Sequence, residues 1–318
     1  MIDVFETLDE VRGAWEASVV AIGNFDGMHI GHQAIFEEAV EEAKRRGAKA
    51  VALTFEPHPE EFFRPQSSPA RLSPPPHKFE LMGRYGIDAV VALPFDADFS
   101  QHSPQDFVEK ILFHGLNARH VVVGRDFRFG HRRAGDVQSL EEIGRPLGMT
   151  RNVARWVEWD GEKVSSTRIR QALEAGEMEA AQTMLGRAHR LYGEVVHGEE
   201  RGRKLGFPTA NMEVIEMAIP PVGVYATTFG RAGEKHWRAI TNIGHRPTFG
   251  GGELTVETFV LEEEVDEELD LYGDEVELDV YRRVRGEKKF ESPRELVAQI
   301  EKDVAWVREF FEREGYGS

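Results

Sequence analysis

Gly23-Asn24-Phe25-Asp26-Gly27-Met28-His29-Ile30-Gly31-His32-Gln33 follows an apolar run, Val19-Val20-Ala21-Ile22, and precedes Ile35, Ala39, Val40 and Ala43 at helical spacing. The stretch therefore reads as the turn from a buried strand into a helix. Its three glycines let backbone approach a ligand closely, and the helix start offers unpaired N–H groups to an anion. Two imidazoles three residues apart share one face. Such a turn suits a triphosphate.

Reading outward, the helix ends near Gly47, and Ala50-Val51-Ala52-Leu53-Thr54-Phe55 forms a second strand, completing a βαβ unit of a parallel sheet. Glu56-Pro57-His58-Pro59 then stops the strand at the carboxyl edge, where ligands of such sheets bind. Five prolines between residues 64 and 76 rule out regular structure and suggest an excursion over the sheet able to act as a lid. Ala89–Leu93 and His120–Gly124 are two more buried strands, separated by a helix from Pro104 to His114.

The next loop, Gly124 to Asp136, carries Arg125, Arg128, Arg132 and Arg133 with Phe127 and Phe129, a mixture suited to phosphate and to stacking on a base. A short strand pair around Trp156 to Trp159 precedes Ser165-Ser166-Thr167-Arg168-Ile169-Arg170, where hydroxyls cap a helix. Arginine in a first turn opposes the helix dipole unless an anion lies between them. Gly186 marks the end of this first domain, giving domains 1–186 and 187–318.

From Leu191 to Arg283 the strands shorten and alternate, including Gly223–Thr228, Trp237–Thr241, Val256–Val260 and Glu275–Val280, the pattern of a small antiparallel barrel. Pro293 opens a closing amphipathic helix with Leu296, Ile300, Val304, Val307 and Phe311 on one stripe. Two stretches carry chemistry. In Gly198–Asn211, Thr209 and Asn211 fall on one side of an extended segment, and their oxygens suit a magnesium ion between phosphates. Glu257 lies in an apolar strand, either as a base or, as strand glutamates often are, as a surface residue or structural acceptor.

Composition bounds the rest. A chain of 318 residues that is 41% hydrophobic supports two cores. No apolar run reaches the length of a membrane span, and the acidic start is no export signal, so the expectation is a soluble cytoplasmic protein. With no cysteine there is no disulfide, thiolate zinc site or cysteine nucleophile. The net charge of −17 disfavours nucleic acid and places anion recognition in local basic clusters, Arg125–Arg133 and Arg201–Lys204.

Taken together these stretches resemble the bacterial bifunctional riboflavin kinase/FAD synthetases over almost the whole chain. The first half resembles the FMN adenylyltransferase module through Gly23 to His32, Phe55 to Pro59, Gly124 to Gly130 and Ser165 to Arg170. The second half resembles the riboflavin kinase module through Gly206-Phe207-Pro208-Thr209-Ala210-Asn211, Gly223-Val224-Tyr225, Asn242 to Thr248 and Glu257.

The resemblance implies an α/β fold: a Rossmann-like nucleotidyltransferase domain, then a six-stranded antiparallel barrel with a closing helix. It implies two reactions, riboflavin to FMN and FMN to FAD, each with ATP, and Mg2+ as cofactor. His29, His32 and Arg170 would be catalytic in adenylyl transfer, and Glu257 would be the base of the kinase. ATP and its phosphates would meet Gly23, Phe25, Asp26, Gly31, Ser165, Ser166, Thr167 and Arg168 in one domain, and Gly198, Arg203, Gly206 and Pro208 in the other. Thr209 and Asn211 would hold the metal. Flavin would meet Pro57, His58, Asp126, Phe127, Phe129, Tyr225 and Arg246.

The chain departs from the family pattern at Ala188-His189, usually Pro-Tyr, at Phe259, often His, and at Asp126, often Asn. The partners implied are small molecules, with neither nucleic acid nor membrane, for a monomer or weak homo-oligomer. Two rival readings are a nucleotidyltransferase of another substrate with a regulatory barrel, and a metal-binding protein using His29 and His32.

Overall fold

A computed structural model describes residues 2–198, 206–246, 253–262 and 271–315, apart from the side chains of Arg246 and Glu253. The chain divides into two units, Met1–Ser166 and Thr167–Ser318.

The first unit is built on a six-stranded sheet, β1 (Asp3–Phe5), β2 (Ser18–Ile22), β3 (Lys49–Glu56), β4 (Ala89–Pro94), β5 (Ala118–Gly124) and β6 (Thr150–Ala154). The spatial order is β1-β4-β3-β2-β5-β6 and every pairing is parallel. Every residue of β2 is buried, as a central strand covered on both faces requires. Alternation sends Val19 and Ala21 to one core and Val20 and Ile22 to the other.

On the first face lie α1 (Ile30–Arg46) and α3 (His77–Arg84), where Ala21, Ala50, Ala52 and Ala92 let Phe36, Ala39 and Met82 come close. α2 (Pro59–Phe63) is a short turn at the strand edge. On the second face, α4 (Pro104–Asp106) runs on as a π-helix, Phe107–Gly115, and is joined by α5 (Val137–Gly144). The widened turn, with Leu116 N–H bonded to the Ile111 carbonyl at 2.9 Å, replaces the regular helix expected from Pro104 to His114. Since β2 leads to β3 on one side and pairs with β5 on the other, the order reverses between β2 and β5. The turn after β2 lies at this switch point.

Strands β1 and β6 are absent from the sequence reading. β1 has three residues and no buried one, and β6, on a sheet edge, opens on three polar residues and buries only Ala154. A hairpin of β7 (Glu158–Trp159) and β8 (Glu162–Lys163) precedes α6 (Ser166–Ala175) and α7 (Met178–Leu185), which Gly186 closes in a left-handed cap.

The second unit holds a closed antiparallel barrel of β9 (His189–Val196), β10 (Ala210–Val214), β11 (Gly223–Arg231), β12 (Trp237–Arg246), β13 (Glu253–Val260) and β14 (Glu275–Arg285), in the order β10-β13-β12-β11-β14-β9. Thr227, Thr241 and Thr258 run a hydroxyl ladder across three strands at 2.8 and 2.9 Å, all buried. α8 (Pro293–Glu314) packs Val307, Phe310 and Phe311 on Val224, Ala226, Ile240 and Leu261. The expected stripe is rotated: Phe310 joins it, while Leu296 and Ile300 are half-buried. α7 packs on β9 and β14.

A charged cluster ties three barrel segments. Arg190 bonds Asp279 at 2.7 Å and Glu277 at 2.5 Å, and His236 meets the same carboxylates at 3.4 and 3.1 Å. Burial alone would lower the His236 pKa, but its hydrogen bonds to Asp279 and Glu277 raise it to about 9. A raised imidazole pKa stabilises fully below the ordinary value of 6.5, and the gain is lost as pH rises through about 9. Stability measured by denaturant should therefore fall between pH 6.5 and 9 by about 1–3 kcal/mol, and His236→Gln should flatten that dependence.

Candidate active sites

In the first unit the turn from β2 to α1 departs from ordinary backbone. Phe25 and Met28 have φ of +54° and +42°, in the left-handed region that costs a side chain about 1–2 kcal/mol. Phe25 is fully buried, packed edge-on against Phe36 at 4.6 Å and His32 at 5.3 Å. Polar groups hold the turn. The buried Asp26 carboxylate accepts the N–H groups of Leu72 at 2.9 Å and Ser73 at 3.0 Å, and Ser166 Oγ donates to the Asp26 carbonyl at 2.9 Å. Gln33 Nε2 donates to the Met28 carbonyl at 2.8 Å.

These bonds also redefine the proline-rich excursion: its far end, Leu72 to Pro74, is buried and pinned to the turn. A free lid over residues 64–76 does not describe it. Asp26, expected at the phosphates, spends its carboxylate on this anchor.

His29 caps α1, its Nδ1 accepting the His32 N–H at 3.3 Å, which leaves the proton of the neutral ring on Nε2. The two imidazoles stack at 3.6 Å, 18° from parallel. Gly31 packs closely beneath them, since a Cβ there would sit 3.1 Å from the His29 ring and push it by a few tenths of an ångström. No acidic residue occupies the first turn of α1, so its N–H groups favour an anion.

At the ends of β3, β4 and β5, aromatic side chains form a continuous run. Phe55, Phe95 and Phe99 lie 5.1–5.9 Å apart, and Phe107 links Phe99 to Phe129, on which Phe127 stacks at 5.3 Å. The run surfaces at Phe62 and Phe63, the latter 63% exposed, both within 5.6 Å of Phe95. Pro57 and His58 lie between β3 and α2. His58 Nδ1 caps α2 through the Glu60 N–H, and burial pushes its pKa down. Phe62, Phe63, Phe95 and Phe99 join this aromatic run without being among the residues expected at a flavin. Their only sequence signal is the closeness of Phe62-Phe63 to Pro59.

Asp126 is exposed and pairs with Lys163 at 2.5 Å; burial works against its charge, but Lys163 holds the carboxyl below its usual range. Arg125 and Lys163 both lie over the exposed Trp156 ring, at 5.2 and 5.4 Å. Ser165 precedes α6, and Thr167, Arg168 and Arg170 lie in its first turns, counted with the second unit.

In the barrel, Asn211 on β10 and Asn242 on β12 both stand directly opposite Glu257 on β13. Alternation places Glu257 with Phe259, which packs toward α8, on the outer face and away from the Thr241–Thr258 ladder. Glu257 is half-buried and is flanked by Phe259, whose ring meets Phe207 at 5.4 Å. Gly198 makes the approach of two segments possible: a Cβ there would lie 2.1 Å from Asn211 Nδ2. Thr209 is half-buried one residue ahead of β10, between exposed Pro208 and Ala210, and Gly206 has φ of +87°.

Tyr225, expected at a flavin, is fully buried with its hydroxyl donated to the Pro221 carbonyl. Its ring is part of the barrel core. Arg203 and the side chain of Arg246 lie outside the described residues. At the departures, His189 is buried and bonded to the Ala218 carbonyl at 2.8 Å, next to buried Ala188.

Thr209 and Asn211 carry a hydroxyl and an amide oxygen, and Asn211 stands opposite Glu257 in the strand register, donor types that fit Mg2+. Among the described residues no group of three or more His, Asp or Glu could hold a metal. That also leaves the His29–His32 pair without the further ligand a closed metal site needs.

A family model described as FAD synthetase matches residues 11–168, and one described as riboflavin kinase matches residues 185–311. The bifunctional riboflavin kinase/FMN adenylyltransferase of Escherichia coli strain K12 is 37% identical over 296 residues, 93% of each chain. That of Pseudomonas fluorescens is 38% identical over 302 residues, 95% of each. A solved structure described as a macrolide-efflux protein from Streptococcus pneumoniae superposes with a TM-score of 0.85 at 30% identity, covering 96% of this chain and 98% of that one. Efflux is said of that protein; among the described residues here no helix is long and apolar enough to cross a membrane. The chain belongs to the bifunctional riboflavin kinase/FMN adenylyltransferase family, with ATP, riboflavin and FMN as its substrates.

Proposed function

We propose that the two reactions of this family are carried by two residue sets, one at the β2–α1 turn and one on the outer face of the barrel. The stacked His29–His32 pair at the switch point carries the first assignment. The anionic triphosphate of ATP lies at the start of α1, with both imidazoles against it. An FMN phosphate oxygen attacks the α-phosphorus and pyrophosphate leaves. The nucleophile is already ionised, so no general base is needed, and the residues act by position and charge. Gly23, Phe25, Asp26 and Gly31 shape the turn, while Ser165 and Ser166 of the same unit provide further donors to phosphate. The isoalloxazine ring rests on the aromatic run between Pro57, His58, Phe62, Phe127 and Phe129, with Asp126 at its edge.

The Asn211–Glu257 register carries the second assignment. The neutral ribityl hydroxyl of riboflavin loses its proton to the Glu257 carboxylate as its oxygen attacks the γ-phosphorus, and ADP leaves. Thr209 and Asn211 would hold Mg2+, which neutralises phosphate charge. Gly198, Gly206, Pro208 and Arg203 belong to the segment assigned to ATP, and Arg246 is assigned to the flavin. Tyr225 supports this face from the core. We place the boundary between the catalytic portions at Gly186, the left-handed cap of α7. The charge of −17 supports small-molecule partners over nucleic acid, in a cytoplasmic monomer or weak homo-oligomer.

Glu257→Gln should lower riboflavin phosphorylation by about 100-fold or more while FMN-to-FAD conversion stays within twofold, both read by chromatography of the flavins. His32→Ala should do the reverse, slowing FAD formation by about 100-fold. Equal loss of both activities in either folded variant would defeat the separation of sites. Omitting Mg2+ with chelator present should stop riboflavin phosphorylation; full activity without a divalent ion would remove Thr209 and Asn211 from metal binding.

A further inference from the structure

Lys78 on α3 is 1% exposed and belongs to none of the stretches assigned above. Its ammonium meets three acceptors: the Glu56 carboxylate, the Asn24 carbonyl at 3.4 Å and Thr54 Oγ1 at 3.5 Å. An ammonium has three N–H donors, so each has an acceptor. Thr54 Oγ1 gives its own proton to the same Asn24 carbonyl, at 3.3 Å, which leaves its lone pairs for Lys78. Glu56 is shared with Arg71 at 2.7 Å, and Arg71 also reaches Glu61 at 2.6 Å.

Burying an ion pair is a poor way to gain stability, since packed apolar side chains of similar volume often do as well or better. Burial here pushes the Lys78 pKa down, against the opposing pull of Glu56. The geometry of the ammonium is what an apolar residue cannot supply. It grips Asn24, the residue immediately before Phe25, where the backbone enters the left-handed region. Strained backbone of this kind persists only where its surroundings over-determine it. Asp26, Ser166 and Gln33 hold the later part of the turn, and Lys78 and Thr54 hold its entry.

We infer that Lys78 is a positioning residue for adenylyl transfer, holding the Asn24–Met28 turn in the shape that presents His29 and His32 to the ATP phosphates. It acts through Asn24, without touching substrate. The inference rests on the assignment of the histidine pair to ATP.

The test compares full-length wild type, Lys78→Met, the double variant Glu56→Gln/Lys78→Met, and His32→Ala. FMN-to-FAD conversion is resolved into kcat and the KM values for ATP and FMN, and riboflavin phosphorylation by the same preparations reports on the barrel. Lys78→Met should lower kcat at least tenfold with both KM values within threefold and riboflavin phosphorylation unchanged. The double variant, which leaves no carboxylate waiting for the lysine, should stay as slow even where its melting temperature recovers. Wild-type kcat in the double variant would overturn the inference, because Lys78 would then only neutralise Glu56. Wild-type kcat in Lys78→Met would overturn it directly. Should Lys78→Met fail to fold, the double variant decides by the same criterion. FAD formation surviving in His32→Ala would instead overturn the assignment of the histidine pair, whatever Lys78 does.

Discussion

A buried phenylalanine at φ +54° is the constraint on which the first unit depends. Chains avoid that conformation in bulky residues, and here it lies where a parallel sheet reverses its order, the place such sheets hold ligands. The bend lets His29 cap α1 and stack on His32 at a helix start with no acidic residue in its first turn. Packing of Phe25 against Phe36 and His32 fills the space beneath, and the polar grip of Asp26 fixes the backbone above. Remove the bend and the two rings leave the helix start.

The barrel solves a different problem with different means. Its interior carries hydroxyls bonded to one another, and the residues proposed for phosphorylation lie on the outer face. There the period of two in a strand lines up Asn211, Glu257 and Asn242 across three neighbours. One fold half has an ionised nucleophile delivered by its substrate and needs only cations and N–H groups. The other must take a proton from a neutral alcohol and so needs a carboxylate. The two residue sets differ because their nucleophiles do.

Much of this was legible in the sequence because it follows from local pattern. The central strands announced themselves as continuous apolar runs, and the glycine-histidine turn by residue type and spacing. Edge strands β1 and β6 were not legible: three residues, or five of which the first three are polar, carry too little signal. Asp26 is placed near the phosphates by the family resemblance of its motif; that it accepts Leu72 and Ser73 N–H groups 46 and 47 residues away is a tertiary fact. Tyr225 looked like a flavin contact within its motif, and only the closed barrel shows it turned inward. Lys78 gave no sign at all, since one lysine in an amphipathic helix reads as surface. The π-helix at Phe107–Gly115 has the apolar content of an ordinary helix, so its periodicity conceals the wider turn.

The Asp26 anchor also divides the proline-rich excursion into two regimes of tolerance. Leu72, Ser73 and Pro74 are buried, and a one-residue shift would move both N–H groups off the carboxylate. Residues 64–70 are mostly exposed ahead of that clamp. Chain length there is nearly free, because doubling a flexible loop costs only about 0.6 kcal/mol in closure entropy. Insertions and deletions should collect on that side of Arg71 and stop abruptly at Leu72, a boundary drawn by one carboxylate far away in the chain.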